Sequence, residues 1–263
     1  MKYPYYTANE HMLINGNSVN VNMLPNDSVD LIVTSPPYNV GMDYKNSEDN
    51  IPYKNYMMFN YHWLVNCYVW AKKGGRLCVN VALDTNKDGK VPLSADITRV
   101  AMQTGWKYHT TIIWNEGNIS KRTAWGSWLS ASAPHVIAPV ETILVFYKDE
   151  WRRGNVGEST IERDEFMEWT NGLWTFPGER KRKRMGHVAP FPRELPKRCI
   201  KLFSFEGDTV FDPFVGSGTT MIEAINNKRI AIGSDISGEY CDIARNRLYE
   251  EANSSFYLIG EDK

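Results

Sequence analysis

The stretch that most constrains this chain is TVFDPFVGSGTTMIEAINNKRIAIGSDIS, residues 209–237. An apolar run, Thr209–Phe211, ends in Asp212, passes through Gly216-Ser217-Gly218 and enters a helical pattern at Thr219-Thr220. A second strand-like run closes on Asp235, at the distance a strand–helix–strand unit requires. Glycines permit a tight turn and let a ligand approach the backbone closely, and the helix that follows opens with free N–H groups. A phosphate-binding loop would need a lysine after the second glycine, and none is there. A dinucleotide fingerprint would need a third glycine where this chain has Met221, so that fit is poor. What remains is a site with an acid at the end of each of two neighbouring strands, or an unliganded glycine turn in an α/β domain.

Short β-branched runs alternate with helical patterns along the rest of the chain, which predicts a largely parallel sheet covered on both faces. Seven strands are expected: Met12–Asn15, Val29–Val33, Arg76–Val81, Tyr108–Trp114, Glu141–Tyr147, Thr209–Asp212 and Ile230–Asp235. Between 108–114 and 141–147 no helical pattern intervenes, so that pair should run antiparallel. Tyr56, Phe59, Trp63, Cys67 and Trp70 recur at spacings of three and four, one face of a helix. Further helices are expected over 95–103, 193–203, 219–226 and 239–250. Residues 115–190 show little periodicity and read as long functional loops hung on the sheet.

A second strand end is punctuated as heavily. After Leu31-Ile32-Val33 comes TSPPYNV, residues 34–40. Each proline fixes its own φ and pushes the residue before it out of the helical region. Ser35 is thereby held extended, and Tyr38 is carried on a stiff stalk. In an open α/β sheet ligands sit beyond the carboxyl ends of the strands, so this tip and the glycine loop can face one cleft.

The net charge of −1 announces no nucleic-acid partner, so any basic surface must be local. One exists at Arg180, Lys181, Arg182, Lys183 and Arg184, a run that alone reads as a solvated loop. The four cysteines are scattered without a Cys-x-x-Cys pair, which speaks against a zinc site or a disulfide framework and suits a reducing cytoplasm. No stretch is apolar enough to span a bilayer, and the N-terminus has no apolar signal core.

Together, Ser35-Pro36-Pro37-Tyr38, the segment 186–204 and the glycine loop closely resemble the DNA amino-methyltransferases that methylate exocyclic amines. The resemblance is to their β arrangement, in which the [DNS]-P-P-[YFW] tip lies N-terminal to the cofactor glycines, and it covers nearly the whole chain. It implies a Rossmann-like seven-stranded S-adenosylmethionine-dependent fold with circularly permuted motif order and an inserted DNA-recognition region. The implied division is a catalytic part over 1–114, target recognition over 115–190 around the strand at 141–147, and a cofactor part over 191–263. It implies S-adenosylmethionine as cofactor, double-stranded DNA as partner, a possible cognate restriction endonuclease and no metal.

The same resemblance assigns residues. Asp212, Phe214, Gly216, Gly218, Thr219, Asp235 and Asn17 would hold the cofactor, Asp212 taking its ammonium and Asp235 its ribose hydroxyls. Asn17 stands where the family often has Asp. Ser35 and the Pro36 carbonyl would accept hydrogen bonds from the target amine, and Tyr38 would stack on an extruded base or else simply pack in the core. Phosphate contacts are expected from Lys121, Arg122, Arg152, Arg153 and the run 180–184, and Trp125 and Trp128 would either intrude into the duplex or pack their loop. A ring-carbon methyltransferase would need a Pro-Cys nucleophile, and the chain has no such dipeptide. Serine at the head of the motif resembles the cytosine-N4 enzymes more than the adenine-N6 enzymes. An RNA or small-molecule methyltransferase and an inactive DNA-binding protein remain as rivals.

Overall fold

A computed structural model describes residues 6–8, 11–41, 50–86, 90–117, 126–136, 138–154, 156–179 and 192–251. In chain order the elements are β1 (Tyr6–Ala8), β2 (His11–Asn15), β3 (Val29–Thr34), α1 (Tyr53–Trp70), β4 (Ala71–Ala82), β5 (Thr85–Asn86), β6 (Lys90–Val91), α2 (Leu93–Gln103), β7 (Lys107–Asn115) and β8 (Val140–Tyr147). They continue with α3 (Arg163–Trp169), β9 (Leu173–Thr175), α4 (Glu194–Phe203), β10 (Thr209–Asp212), α5 (Thr219–Asn226), β11 (Ile230–Asp235) and α6 (Gly238–Glu251).

The main sheet runs β1-β2-β11-β10-β3-β4-β8-β7-β9. The seven expected strands are its contiguous middle. From β2 to β4 every neighbour is parallel, and β8 lies antiparallel to both β4 and β7. β3 is buried along its whole length because both faces are covered. Leu31 and Val33 join the core under α4, α5 and α6, while Ile32 joins the core under α1 and α2. From β10 the chain proceeds to β11 on one side, and from β3 to β4 on the other. The switch point of the sheet therefore lies between the carboxyl ends of β3 and β10, where α/β folds bind ligands.

Residues 115–190 are not all loop. Glu162 and Glu165 form a reciprocal capping box that starts α3, and β9 extends the sheet beside β7. The helix has one buried residue, Trp169, so it lacks the repeated apolar positions that reveal a helix in sequence. It is held from outside. Arg198 of α4 lies over Trp169, Trp174 and Phe176 at 5.1, 5.4 and 5.0 Å, and Lys201 pairs with Glu165. Among the described residues no helix is long and apolar enough to cross a membrane.

Candidate active site

The tip after β3 is braced from several sides. Thr34 is buried, Ser35 half-buried, and Pro36 buried. Tyr56 of α1 donates its hydroxyl to the Pro37 carbonyl (2.8 Å). Asn39 takes a left-handed φ of 57°, and its carboxamide accepts from the Ile51 N–H (2.8 Å) and donates to the Ile51 carbonyl (2.9 Å). Asn and Asp tolerate that region best among non-glycine residues.

The Tyr38 hydroxyl lies 3.1 Å from Ser35 Oγ and donates to Glu141 Oε2 at 3.0 Å. Asn80 of β4 donates Nδ2 to the same hydroxyl (2.9 Å) and to the same carboxylate oxygen (2.7 Å). Asn80 and Glu141 were not among the residues read from sequence. They come from two strands 61 positions apart, and only the β4–β8 pairing brings them together.

Beside this cluster stands Asp212, at the end of β10. Oδ1 accepts from the Thr34 hydroxyl (2.7 Å) and the Phe214 N–H (3.0 Å), and Oδ2 accepts from the Thr220 hydroxyl (2.7 Å). The residue is 1% exposed. Burial pushes its carboxyl up to about 6; three hydrogen bonds oppose that shift and the charge of Asp235 adds to it. Asp212 thus sits beneath the surface and ties the β3 tip to the start of α5.

Asp235 is different. Its Oδ2 accepts from the Gly216 N–H (3.0 Å) and its Oδ1 from the Ser237 N–H (2.9 Å), one donor on each oxygen, and it is only half-buried. Burial raises its pKa, against those two bonds. The glycine loop is shaped by Gly216 at φ 48° and Gly218 at φ 84°. A Cβ on Gly218 would meet the Ala244 backbone of α6 at 3.2 Å, so that glycine serves helix packing. Thr219 likewise faces inward: its hydroxyl accepts from Arg247 of α6 (3.1 Å), which also donates to the Ser217 carbonyl (2.7 Å). Arg247 thus supports the loop from below, a role with no signature in sequence. Phe214 is half-buried, its ring against Phe59 and Trp63 at 5.8 and 5.4 Å. Asn17 lies at the end of β2 beside Asp235, since the Gly16 N–H donates to the Asp235 carbonyl (2.9 Å). Its Oδ1 accepts from the Val19 N–H (3.1 Å), so it shapes its own turn.

The expected phosphate contacts divide. Lys121, Arg122, Arg180, Lys181, Arg182, Lys183, Arg184 and Trp125 lie outside the described residues. Arg153 lies in an ion-pair cluster. Its side chain is 13% exposed, and its guanidinium is paired with Asp30 (2.7 Å) and Asp208 (3.0 Å). Both acids are at the amino ends of β3 and β10, a strand's length from Ser35. There the Arg153 guanidinium neutralises both acids. Arg152 is exposed at the same end, and Trp128 is 65% exposed in the β7–β8 connection.

The serine–proline tip and the glycine loop follow the two strands at the switch point of the sheet, and the model of the N6/N4 DNA methylase family matches residues 29–246. The chain belongs to that DNA methylase family. A relative from Methanocaldococcus jannaschii, the Type II methyltransferase M.MjaVI, is 60% identical over 171 residues, covering 65% of this chain and 88% of its own. The Type II methyltransferase M.HpaI of Haemophilus parainfluenzae is 31% identical over 242 residues, covering 88% and 71%. Among solved structures, the Thermus thermophilus protein TTHA0409 in complex with S-adenosyl-L-methionine superposes with a TM-score of 0.76 at 26% identity, over 96% of this chain and 99% of that one. PvuII DNA methyltransferase, described as cytosine-N4-specific, has a TM-score of 0.73 at 22% identity over 94% and 89%, a likeness of fold.

The protein is an S-adenosylmethionine-dependent DNA methyltransferase. The residues present fit that cofactor. Each Asp235 oxygen has one protein donor among the described residues, which leaves acceptor capacity for a ribose diol. When bound, the cofactor supplies a methyl group made electrophilic by the sulfonium it is attached to.

Proposed function

We propose that this methyltransferase acts on the exocyclic N4 of a cytosine extruded from duplex DNA, as the modification enzyme of a restriction–modification pair. The observation that carries the choice of base is Ser35 at the head of the tip. A hydroxyl there accepts from an amine N–H, as does the Pro36 carbonyl, and together they turn the amine's lone pair toward the methyl donor. That lone pair is otherwise delocalised into the ring, so orientation and in-line alignment supply most of the rate. Asp235 holds the ribose, with Phe214, Gly216 and Asn17 around the same pocket. The Tyr38 ring, its hydroxyl anchored to Asn80 and Glu141, stacks on the flipped base, worth about 1–3 kcal/mol.

Residues 1–114 carry the catalytic tip, 191–263 the cofactor loop, and the intervening 115–190 read the target. Phosphate contacts come from Lys121, Arg122, Arg152 and the run 180–184. The Type II names of the relatives support a restriction–modification setting. Adenine N6 is the second reading, because an adenine amine can donate to the same hydroxyl and carbonyl.

The test is a nucleoside digest of mixed-sequence duplex DNA incubated with the protein and methyl-labelled cofactor. N4-methylcytosine by mass spectrometry is the expected product. N6-methyladenine would keep the mechanism and overturn the inference from Ser35.

A further inference from the structure

The hydrogen bonds around Tyr38 have a direction. Its hydroxyl faces the Glu141 carboxylate (Oε2, 3.0 Å) and, at a longer 3.2 Å, the Asn80 carbonyl. Both only accept, so the phenol proton points to them and chiefly to the closer, charged oxygen. Asn80 Nδ2 donates to both the phenol oxygen and the carboxylate (2.9 and 2.7 Å), which fixes the same polarity. With the phenol proton spent, the 3.1 Å contact between Ser35 Oγ and the phenol oxygen is made by the serine proton. Ser35 Oγ therefore presents lone pairs, the form that accepts from an amine. Asn80 is 2% exposed, and its Oδ1 has no hydrogen-bond partner among the described residues. Such a buried acceptor is costly unless a ligand donor fills it.

We propose that Glu141 is a positioning residue for methyl transfer: acting through Tyr38, it sets the polarity of Ser35 and takes up the proton that the methylated amine must lose. This rests on Ser35 facing the target amine. In the reaction the amine nitrogen forms a bond to the methyl carbon, and the carbon–sulfur pair returns to sulfur, leaving a neutral thioether and a cationic methylated amine. One N–H proton passes to Ser35 Oγ, the serine proton to Tyr38 and the phenol proton to Glu141. The positive charge that left the sulfonium is cancelled on the carboxylate, which later gives its proton to solvent.

The test compares Glu141→Gln, Tyr38→Phe and the double variant in single-turnover methyl transfer to duplex DNA, with cofactor binding followed by calorimetry. Glu141→Gln is expected to bind cofactor as the unmodified protein does and to lose about 10²-fold or more in rate, the scale of a lost proton-transfer partner. KM for DNA should hardly move, and the double variant should be no slower than the slower single one. A Glu141→Gln rate within about twofold of the unmodified protein, or losses that multiply in the double variant, would overturn the proposal. So would joint loss of turnover and cofactor binding, which would make Glu141 part of the framework. If the unmodified protein methylates no DNA amine, the reading of the site fails instead, and the two failures are told apart by that control.

Discussion

Replacing Asp212 with Asn separates two roles for this acid, because the amide keeps its shape and loses its charge. Oδ1 still accepts from Thr34 and Phe214, and the new Nδ2 donates to a Thr220 hydroxyl that needs only to rotate. The folded carboxyl titrates near 6 against an ordinary 3.8. At about 1.4 kcal/mol per pKa unit, the ionised carboxylate costs the fold roughly 3 kcal/mol. The sign follows from proton counts. Between pH 4 and 6 the folded state holds the proton and the unfolded state does not, so this group's contribution falls as pH rises through that window and is flat above it. Asp212→Asn should therefore be more stable than the unmodified protein by about 3 kcal/mol at pH 7.5, with the gain shrinking toward zero near pH 4. For a chain of this length that is an increase of about 5 °C in Tm. Urea unfolding at several pH values, with m unchanged, measures it. A variant less stable at pH 7.5, or a gain independent of pH, would refute the argument. Calorimetry supplies the second half: a buried tie predicts little change in cofactor affinity, whereas an ammonium ligand predicts a large loss.

Ser35→Ala is expected to slow methyl transfer with cofactor affinity nearly intact, and Asp235→Ala to weaken cofactor binding instead; identical defects would refute the division of labour. Arg153→Met should cost about 3 kcal/mol of stability, because it removes the cation paired with Asp208, while Asp30 keeps Lys72 at 2.7 Å. It should leave the salt dependence of DNA binding unchanged, whereas neutralising 180–184 should flatten it. An unchanged slope in the second case would return that run to solvated surface.

The parallel core was legible because its signals are local. β3, β10 and β11 are short apolar runs, α5 starts at a glycine turn, and two prolines stiffen Ser35, all of which depend on neighbours in sequence. Helix α3 escaped because its one buried residue, Trp169, gets its partners from α4. The ion pairs of Arg153 were not legible, because a cation's partners are set by whichever acids meet it in space, and here those acids are Asp30 and Asp208.

The sequence by itself determined the α/β class, the order of the two punctuated strand ends and the residue types at each tip, because backbone preference and side-chain period act over a few residues. Tertiary structure alone decided which acid lies open and which is buried. Asp212 and Asp235 look alike in sequence, each an acid closing a strand. One is covered where β3, β10 and α5 converge, and the other stays half-exposed beside β2. The same holds for Glu141: only the pairing of β4 with β8 carries it to the Tyr38 hydroxyl, a neighbour in space and not in sequence.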